Sequence, residues 1–220
     1  MRVVFDLDGT LVDSRADIVS ATNFALAAAG RPPLPDRVVT GYIGDGARSL
    51  MARAAGLPEH DPAVEPFLRS FVDHYSDHAT ERTLPLPGAV AVLETLRQTV
   101  PLALCTNKPR RTTLRVLSAL GLRGYFSALV CGDDLPERKP HPAPLLAIGE
   151  RLRCSVHAMV MVGDGPQDVE CAQRAGARSV GVVGNIAPRS ALEQAGPDAL
   201  IGSLAELLPL LYRWGQATKR

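Results

Sequence analysis

The sequence has little of what marks several large protein classes. Its 220 residues include four cysteines, and Cys105, Cys131, Cys154 and Cys171 form no CxxC pair, which argues against a cysteine zinc site. A soluble chain of this size buries a core without disulfides, so the thiols are expected as small core residues in a reducing compartment. Net charge is nearly absent: 24 basic and 23 acidic residues leave +1, with no electrostatic pull toward nucleic acid or a membrane surface. No apolar run approaches the roughly 20 residues of a bilayer-spanning helix. The opening Met1-Arg-Val-Val-Phe-Asp6 leaves no room for a signal peptide, so a cytoplasmic protein is expected. Internal repeats and low-complexity tracts are missing. So is a GxxxxGK[ST] loop, and neither Gly44-x-Gly46 nor Gly163-x-Gly165 has the spacing or third glycine of a dinucleotide site.

What remains is an ordinary globular composition, 46% hydrophobic and 21% charged, long enough for one large domain or one domain carrying an insertion. Periodicity divides it. Val3–Phe5 is a β-branched and aromatic run, a buried-strand signal that stops at Asp6-Leu-Asp-Gly-Thr10. From 14 to 82 no segment reads as a strand: Ile18, Ala21, Ala25 and Leu26, then Leu50, Ala54 and Leu57, then Leu68, Phe71, Val72 and Tyr75 fall at helical spacing. After Gly88 helices and strands alternate, with strands expected at 102–106, 128–131, 158–162 and 179–183 and a last helix through 204–211. Such alternation predicts an α/β fold, a doubly wound, Rossmann-like parallel sheet with helices on both faces. The first strand must pair beyond position 100, which makes 14–82 an inserted α-helical cap domain and 1–13 with 83–220 the core. In such sheets chemistry collects outside the carboxyl ends of the strands.

Those ends carry polar residues. Asp6 and Asp8 lie two apart, about 6.6 Å along an extended strand, on one side, and Gly9 lets the backbone curl. Two carboxylates aimed into one crevice repel unless a cation lies between them or one takes a proton. Taken alone, the segment also fits a simple loop entrance. Thr106 and Asn107 follow the second strand, where a hydroxyl and backbone amides suit an anionic oxygen or cap a helix. Lys139 follows the third and supplies a point charge suited to a phosphoryl group, although a lone lysine is ordinarily solvated. The fourth delivers Asp164 and Asp168, a prospective hard-cation site or a turn and helix start.

Taken together and in this order, the Asp6–Thr10 segment, Thr106, Lys139 and the Asp164/Asp168 pair resemble the motif set of the haloacid dehalogenase-like superfamily, over essentially the whole chain. The Asp-x-Asp form is similar to its phosphatases rather than its dehalogenases. A closer likeness to the phosphoglycolate phosphatases rests on Gly41-Tyr-Ile-Gly-Asp-Gly-Ala-Arg-Ser-Leu50, Asp73-His-Tyr-Ser-Asp-His78 and Thr106-Asn-Lys-Pro109. Gly165 stands where that pattern commonly has serine, with both acids intact.

The resemblance implies hydrolysis of a small-molecule phosphate monoester, 2-phosphoglycolate first, by a monomer or homodimer. It implies Asp6 as nucleophile and Asp8 as general acid and base. Mg²⁺ is implied as cofactor, on Asp6, Asp164 and the main-chain carbonyl of Asp8, with Asp168 orienting the metal shell. Thr106, Asn107, Lys139 and Gly9 are implied as phosphate contacts, and Arg48 is a candidate for the leaving group's carboxylate. His74 and His78, one helical turn apart, read as an exposed face rather than a metal pair. Other sugar-phosphate or nucleotide phosphatases and a phosphomutase share the architecture and stay open. A phosphorelay receiver would be near 120 residues with a mid-chain acceptor and no cap. An inactive scaffold would be expected to have lost motif residues.

Overall fold

The opening β-branched run forms β1 (Arg2–Phe5), whose three apolar residues are wholly buried. In the computed structural model, which describes residues 1–184 and 186–217 and side chains through Gly215, this strand lies in the middle of the molecule. The chain then turns sharply, because the carbonyl of Leu7 accepts from the N–H groups of Thr10, Leu11 and Val12. Two short strands, β2 (Val12–Asp13) and β3 (Leu84–Pro85), pair as an antiparallel ribbon. Everything between them is helical: α1 (Arg15–Ala28), α2 (Asp36–Thr40), α3 (Ala47–Ala55), a 3₁₀ turn, and α4 (Glu65–His78). The excursion thus leaves and returns at one place. Asp17, buried at the start of α1, fastens that place by accepting from the N–H groups of Arg82 and Thr83 and from the Thr83 hydroxyl.

The remainder alternates as α5 (Ala89–Arg97), β4 (Leu102–Cys105), α6 (Arg110–Ala119), β5 (Phe126–Val130), α7 (Ala143–Leu152), β6 (Met159–Gly163), α8 (Pro166–Ala175), β7 (Arg178–Val182), α9 (Arg189–Ala195), β8 (Ala199–Ile201) and α10 (Leu207–Ala217). Six strands form one parallel sheet in the order β5-β4-β1-β6-β7-β8. Side chains alternate between its faces with the strand period of two. Val3, Phe5, Leu102, Leu104, Val160 and Val162 pack with Leu93, Leu117 and Leu207 from α5, α6 and α10. Val4, Ala103, Cys105, Met159 and Met161 pack on the other face with Leu145, Ile148, Cys171 and Ala172 from α7 and α8. Both faces are covered, which is why these strands read as continuous apolar runs.

Some elements differ from the sequence expectation. β8 extends the sheet to a sixth strand, and α9 precedes it. Three residues at a sheet edge, of which Ile201 alone is buried, carry too short a pattern to read. The last helix also starts at Leu207, with Leu204–Glu206 forming a 3₁₀ turn before it. Among the described residues no helix is long and apolar enough to cross a membrane.

Candidate active site

The carboxyl ends of β4, β1 and β6 lie side by side, so the residues just past each strand converge. Asp6, next after β1, still donates its N–H to the carbonyl of Val162 at 2.9 Å, which fixes it at the sheet edge. Asp164 follows β6, and Asp168 lies in the first turn of α8. These three carboxylates are all buried, and one oxygen from each lies within 4.8 Å of the others. Lys139 sits among them. Its ammonium contacts Asp6 at 2.8 Å and Asp168 at 2.6 Å and donates to the Cys105 carbonyl at 2.7 Å.

Glycine is required where this cluster is tightest. A Cβ on Gly9, whose φ is +83°, would lie 2.2 Å from an Asp164 carboxylate oxygen, and one on Gly163 would lie 2.2 Å from the Asp168 carboxyl carbon. The electrostatics follow from three acids meeting one base. Burial, then repulsion from Asp6 and Asp168, pushes the Asp164 carboxyl well above its usual range against the Thr10 hydroxyl and Lys139. Burial likewise raises Asp168 to about 7 against the opposing pull of Lys139. For Lys139, burial disfavours the charge, but Asp168 and Asp6 outweigh it and hold the ammonium well above its ordinary value. A buried set of oxygen donors with more negative than positive charge fits a hard divalent cation such as Mg²⁺.

Asp8 belongs to a different network. Both its oxygens face the buried ammonium of Lys108, at 2.8 and 3.0 Å, and the Ser14 hydroxyl donates to it at 2.5 Å. Lys108 also donates to the Tyr75 hydroxyl of α4 at 2.5 Å. Asp6 and Asp8 line one cleft, as the sequence leads one to expect, and each faces its own ammonium, Lys139 for Asp6 and Lys108 for Asp8. The Asp8 side chain is therefore not part of the acidic cluster, which leaves its main-chain carbonyl as what it can offer a metal.

The remaining candidates divide. Thr106 is buried at the end of β4 and lines the same cleft as Asp6 and Asp8. Its hydroxyl oxygen accepts from the Lys108 N–H at 3.2 Å, which leaves the hydroxyl proton for a ligand. At Asn107 the side chain and the main chain have separate uses. Its amide donates to the carbonyls of Gly44 and Lys139 and its oxygen accepts from the Lys139 N–H, so the side chain braces two loops and only its main-chain N–H suits a ligand. Gly9 differs from expectation, because its N–H donates to the Val12 carbonyl at 2.8 Å; the position serves the close approach of Asp164. Asp168 uses one oxygen for Lys139 and the other for the Gly165 N–H at 3.1 Å, which is an orienting arrangement.

Arg48 is turned away from the cleft, paired with Glu65 and 3.4 Å from the Glu59 carbonyl, because its turn of α3 faces the 3₁₀ segment before α4. The 73–78 stretch is accounted for by three faces of α4. Tyr75 points inward to Lys108, Asp73 and Asp77 meet Arg111 and Arg115 of α6 at 3.8 and 3.4 Å, and His74 stacks between Phe24 and His78 on the half-buried outer side. Sequence reasoning assigned no role to Lys108, Tyr75, Ser14 or Thr10. Lys108 stands in the quoted Thr106–Pro109 stretch, but its partner is 33 residues distant and no spacing rule joins them.

Comparison with known proteins gives a consistent result. A haloacid dehalogenase-like hydrolase family profile matches residues 3–182. The chain is 38% identical over 217 residues to a phosphoglycolate phosphatase of Agrobacterium fabrum, covering 95% of this chain and 91% of that one. It is 41% identical over 213 residues to a phosphoglycolate phosphatase of Neisseria meningitidis, covering 93% and 91%. Among solved structures, a predicted phosphoglycolate phosphatase from Haemophilus somnus superposes with a TM-score of 0.87 at 31% identity, over 95% of this chain and 96% of that one.

Proposed function

The chain belongs to the haloacid dehalogenase-like hydrolases, and from that premise we propose that it is a Mg²⁺-dependent phosphatase that cleaves 2-phosphoglycolate to glycolate and phosphate. The observation that carries the mechanism is the division of Asp6 and Asp8 between two ammonium groups. Asp6, in the acidic cluster, is the nucleophile: its carboxylate attacks phosphorus in line, forms the aspartyl phosphate, and the bond to the ester oxygen breaks. Asp8, outside that cluster, is the acid–base residue: it carries a proton when the ester is bound and gives it to the leaving oxygen, and the carboxylate so formed takes a proton from the attacking water in the second half-reaction.

Thr106 and the main-chain N–H of Asn107 hold the phosphoryl oxygens as charge redistributes, and Lys139 offsets charge at Asp6. Asp168 keeps Lys139 in place. Asp6, Asp164 and the carbonyl of Asp8 are the residues that would hold Mg²⁺, which when bound supplies the positive charge that lets an anion approach an anion. Residues 14–82 act as a cap over a core of 1–13 and 83–220, excluding water and reading the leaving group. The four unpaired thiols are in keeping with a cytoplasmic enzyme.

Phosphate release from 2-phosphoglycolate, β-glucose-1-phosphate, a nucleoside monophosphate and pyrophosphate, with Mg²⁺ and with EDTA, tests the reading, with Asp6→Asn as control. A metal-dependent preference for 2-phosphoglycolate of about tenfold or more in kcat/KM, or 1.4 kcal/mol, is the expected result. Equal or higher activity on another ester keeps the mechanism and discards the substrate.

A further inference from the structure

The cleft above Asp6 and Asp8 has two unlike walls. The helical block contributes Ile18, Ile43, Leu50 and Phe71, with Tyr75 at their edge, and among the described residues that line the cleft Lys108 is the one cation. Arg48, which the sequence offered for a leaving-group carboxylate, faces elsewhere. We infer that Lys108 is the specificity residue of the site, reading a carboxylate carried on the same carbon as the ester oxygen. This inference rests on the phosphatase reading above and deepens it to a substrate class, the 2-(phosphooxy)carboxylates.

Reach decides the class. The Lys108 ammonium lies one hydrogen bond from each Asp8 oxygen, so a leaving oxygen that meets Asp8 brings only its nearest neighbours within range of the ammonium. In a 2-(phosphooxy)carboxylate the ester oxygen and the carboxylate are bonded to the same carbon, and the carboxylate reaches Lys108 by replacing one of its two contacts to Asp8. An acid with one more methylene places its charge deeper, against Ile18, Leu50 and Phe71. A sugar would leave hydroxyls without partners on that apolar wall.

The ammonium is held for this task. Its third proton goes to the Tyr75 hydroxyl, and it lies 4.5 Å from the centre of the Tyr75 ring. Burial pushes Tyr75 up to about 12, so this partner stays neutral. Burial works against the charge on Lys108 itself, but Asp8 and Tyr75 outweigh it and keep the side chain protonated.

The test compares kcat/KM for 2-phosphoglycolate, 3-(phosphooxy)propanoate and ethyl phosphate in the wild type and Lys108→Met, all with Mg²⁺. The wild type should favour 2-phosphoglycolate over each of the others by about 100-fold. Lys108→Met should cut its preference over ethyl phosphate at least tenfold, mainly through KM for the acid. An equal loss on both esters, with the ratio unchanged, overturns the inference and leaves Lys108 as a support for Asp8. A wild type that cleaves ethyl phosphate as well as 2-phosphoglycolate fails the parent reading instead. Because Lys108→Met leaves Asp8 unpaired, binding is measured as well by titration calorimetry in Asp8→Asn and in Asp8→Asn/Lys108→Met, the latter leaving no charge at either position. The double variant should bind 2-phosphoglycolate at least tenfold more weakly, with ethyl phosphate unaffected; equal affinities for 2-phosphoglycolate overturn the inference.

Discussion

Two lysine networks lie at the same sheet edge, and they are built on opposite charge arithmetic. Around Lys139 three buried carboxylates, Asp6, Asp164 and Asp168, share one ammonium. Around Lys108 one carboxylate, Asp8, meets one ammonium, with Tyr75 and Ser14 as neutral partners. The first is short of positive charge and suited to take up a cation; the second is complete without one. Two aspartates separated by a single residue therefore have different chemistry, set by which ammonium each one faces rather than by anything intrinsic to the side chains.

The contrast is sharpest in turnover. Asp6→Asn removes the proposed nucleophile and should abolish phosphoenzyme and lower kcat on the order of 10⁴-fold or more, read by acid-quenched labelling and phosphate release. Asp8→Asn should slow both half-reactions by about 10²–10⁴-fold while leaving Mg²⁺ affinity nearly unchanged, because its side chain stands outside the acidic cluster.

Stability of the metal-free protein separates the networks by sign. Asp8→Asn leaves Lys108 buried without an anion and should cost about 3 kcal/mol in urea unfolding. Asp164→Asn relieves repulsion in the other network and should be neutral or stabilising by about 1 kcal/mol, and it should remove the rise in Tm expected when Mg²⁺ is added to the wild type. Loss of stability in both variants would break the distinction.

A smaller effect concerns pH. Asp168, raised to about 7, and Asp164, raised well above the usual range, bind protons more tightly in the metal-free native state than in the unfolded chain, where such carboxyls titrate near 3.8. Their contribution to stability is full below that value and is lost as pH rises through about 7. Added Mg²⁺ should therefore raise Tm more at pH 8 than at pH 5, and a reversed order would contradict the raised values. The smallest effect is at Arg48: Arg48→Ala breaks a surface pair with Glu65 and should change kcat/KM for 2-phosphoglycolate by less than about threefold.

Much of the architecture was legible because it rests on local pattern. The apolar runs of β1, β4, β5, β6 and β7 are buried on both faces, and the helical spacing of 14–82 is interrupted by no strand. Helices alternate with those strands as expected, and α8 ends where Gly176 takes φ +78°. β8 and α9 were not legible, since a three-residue edge strand and a seven-residue helix repeat too briefly to be told from loop.

By itself the sequence determined an α/β chain with acids, a hydroxyl and a lysine at successive strand ends, because side-chain period and strand termination are properties of neighbouring residues. Only the tertiary structure decided how those groups are shared. The turn on the Leu7 carbonyl sends Asp8 toward Lys108 while Asp6 stays with Lys139, and Tyr75 comes to the same lysine from a helix far off in the chain. Asn107 and Gly9, plausible ligands as residue types, have their side chain and N–H respectively engaged by the surrounding loops, and Arg48 faces a glutamate. A charge or a donor in a sequence is available to anything; which partner it meets depends on through-space distance, and burial then makes that choice costly to reverse.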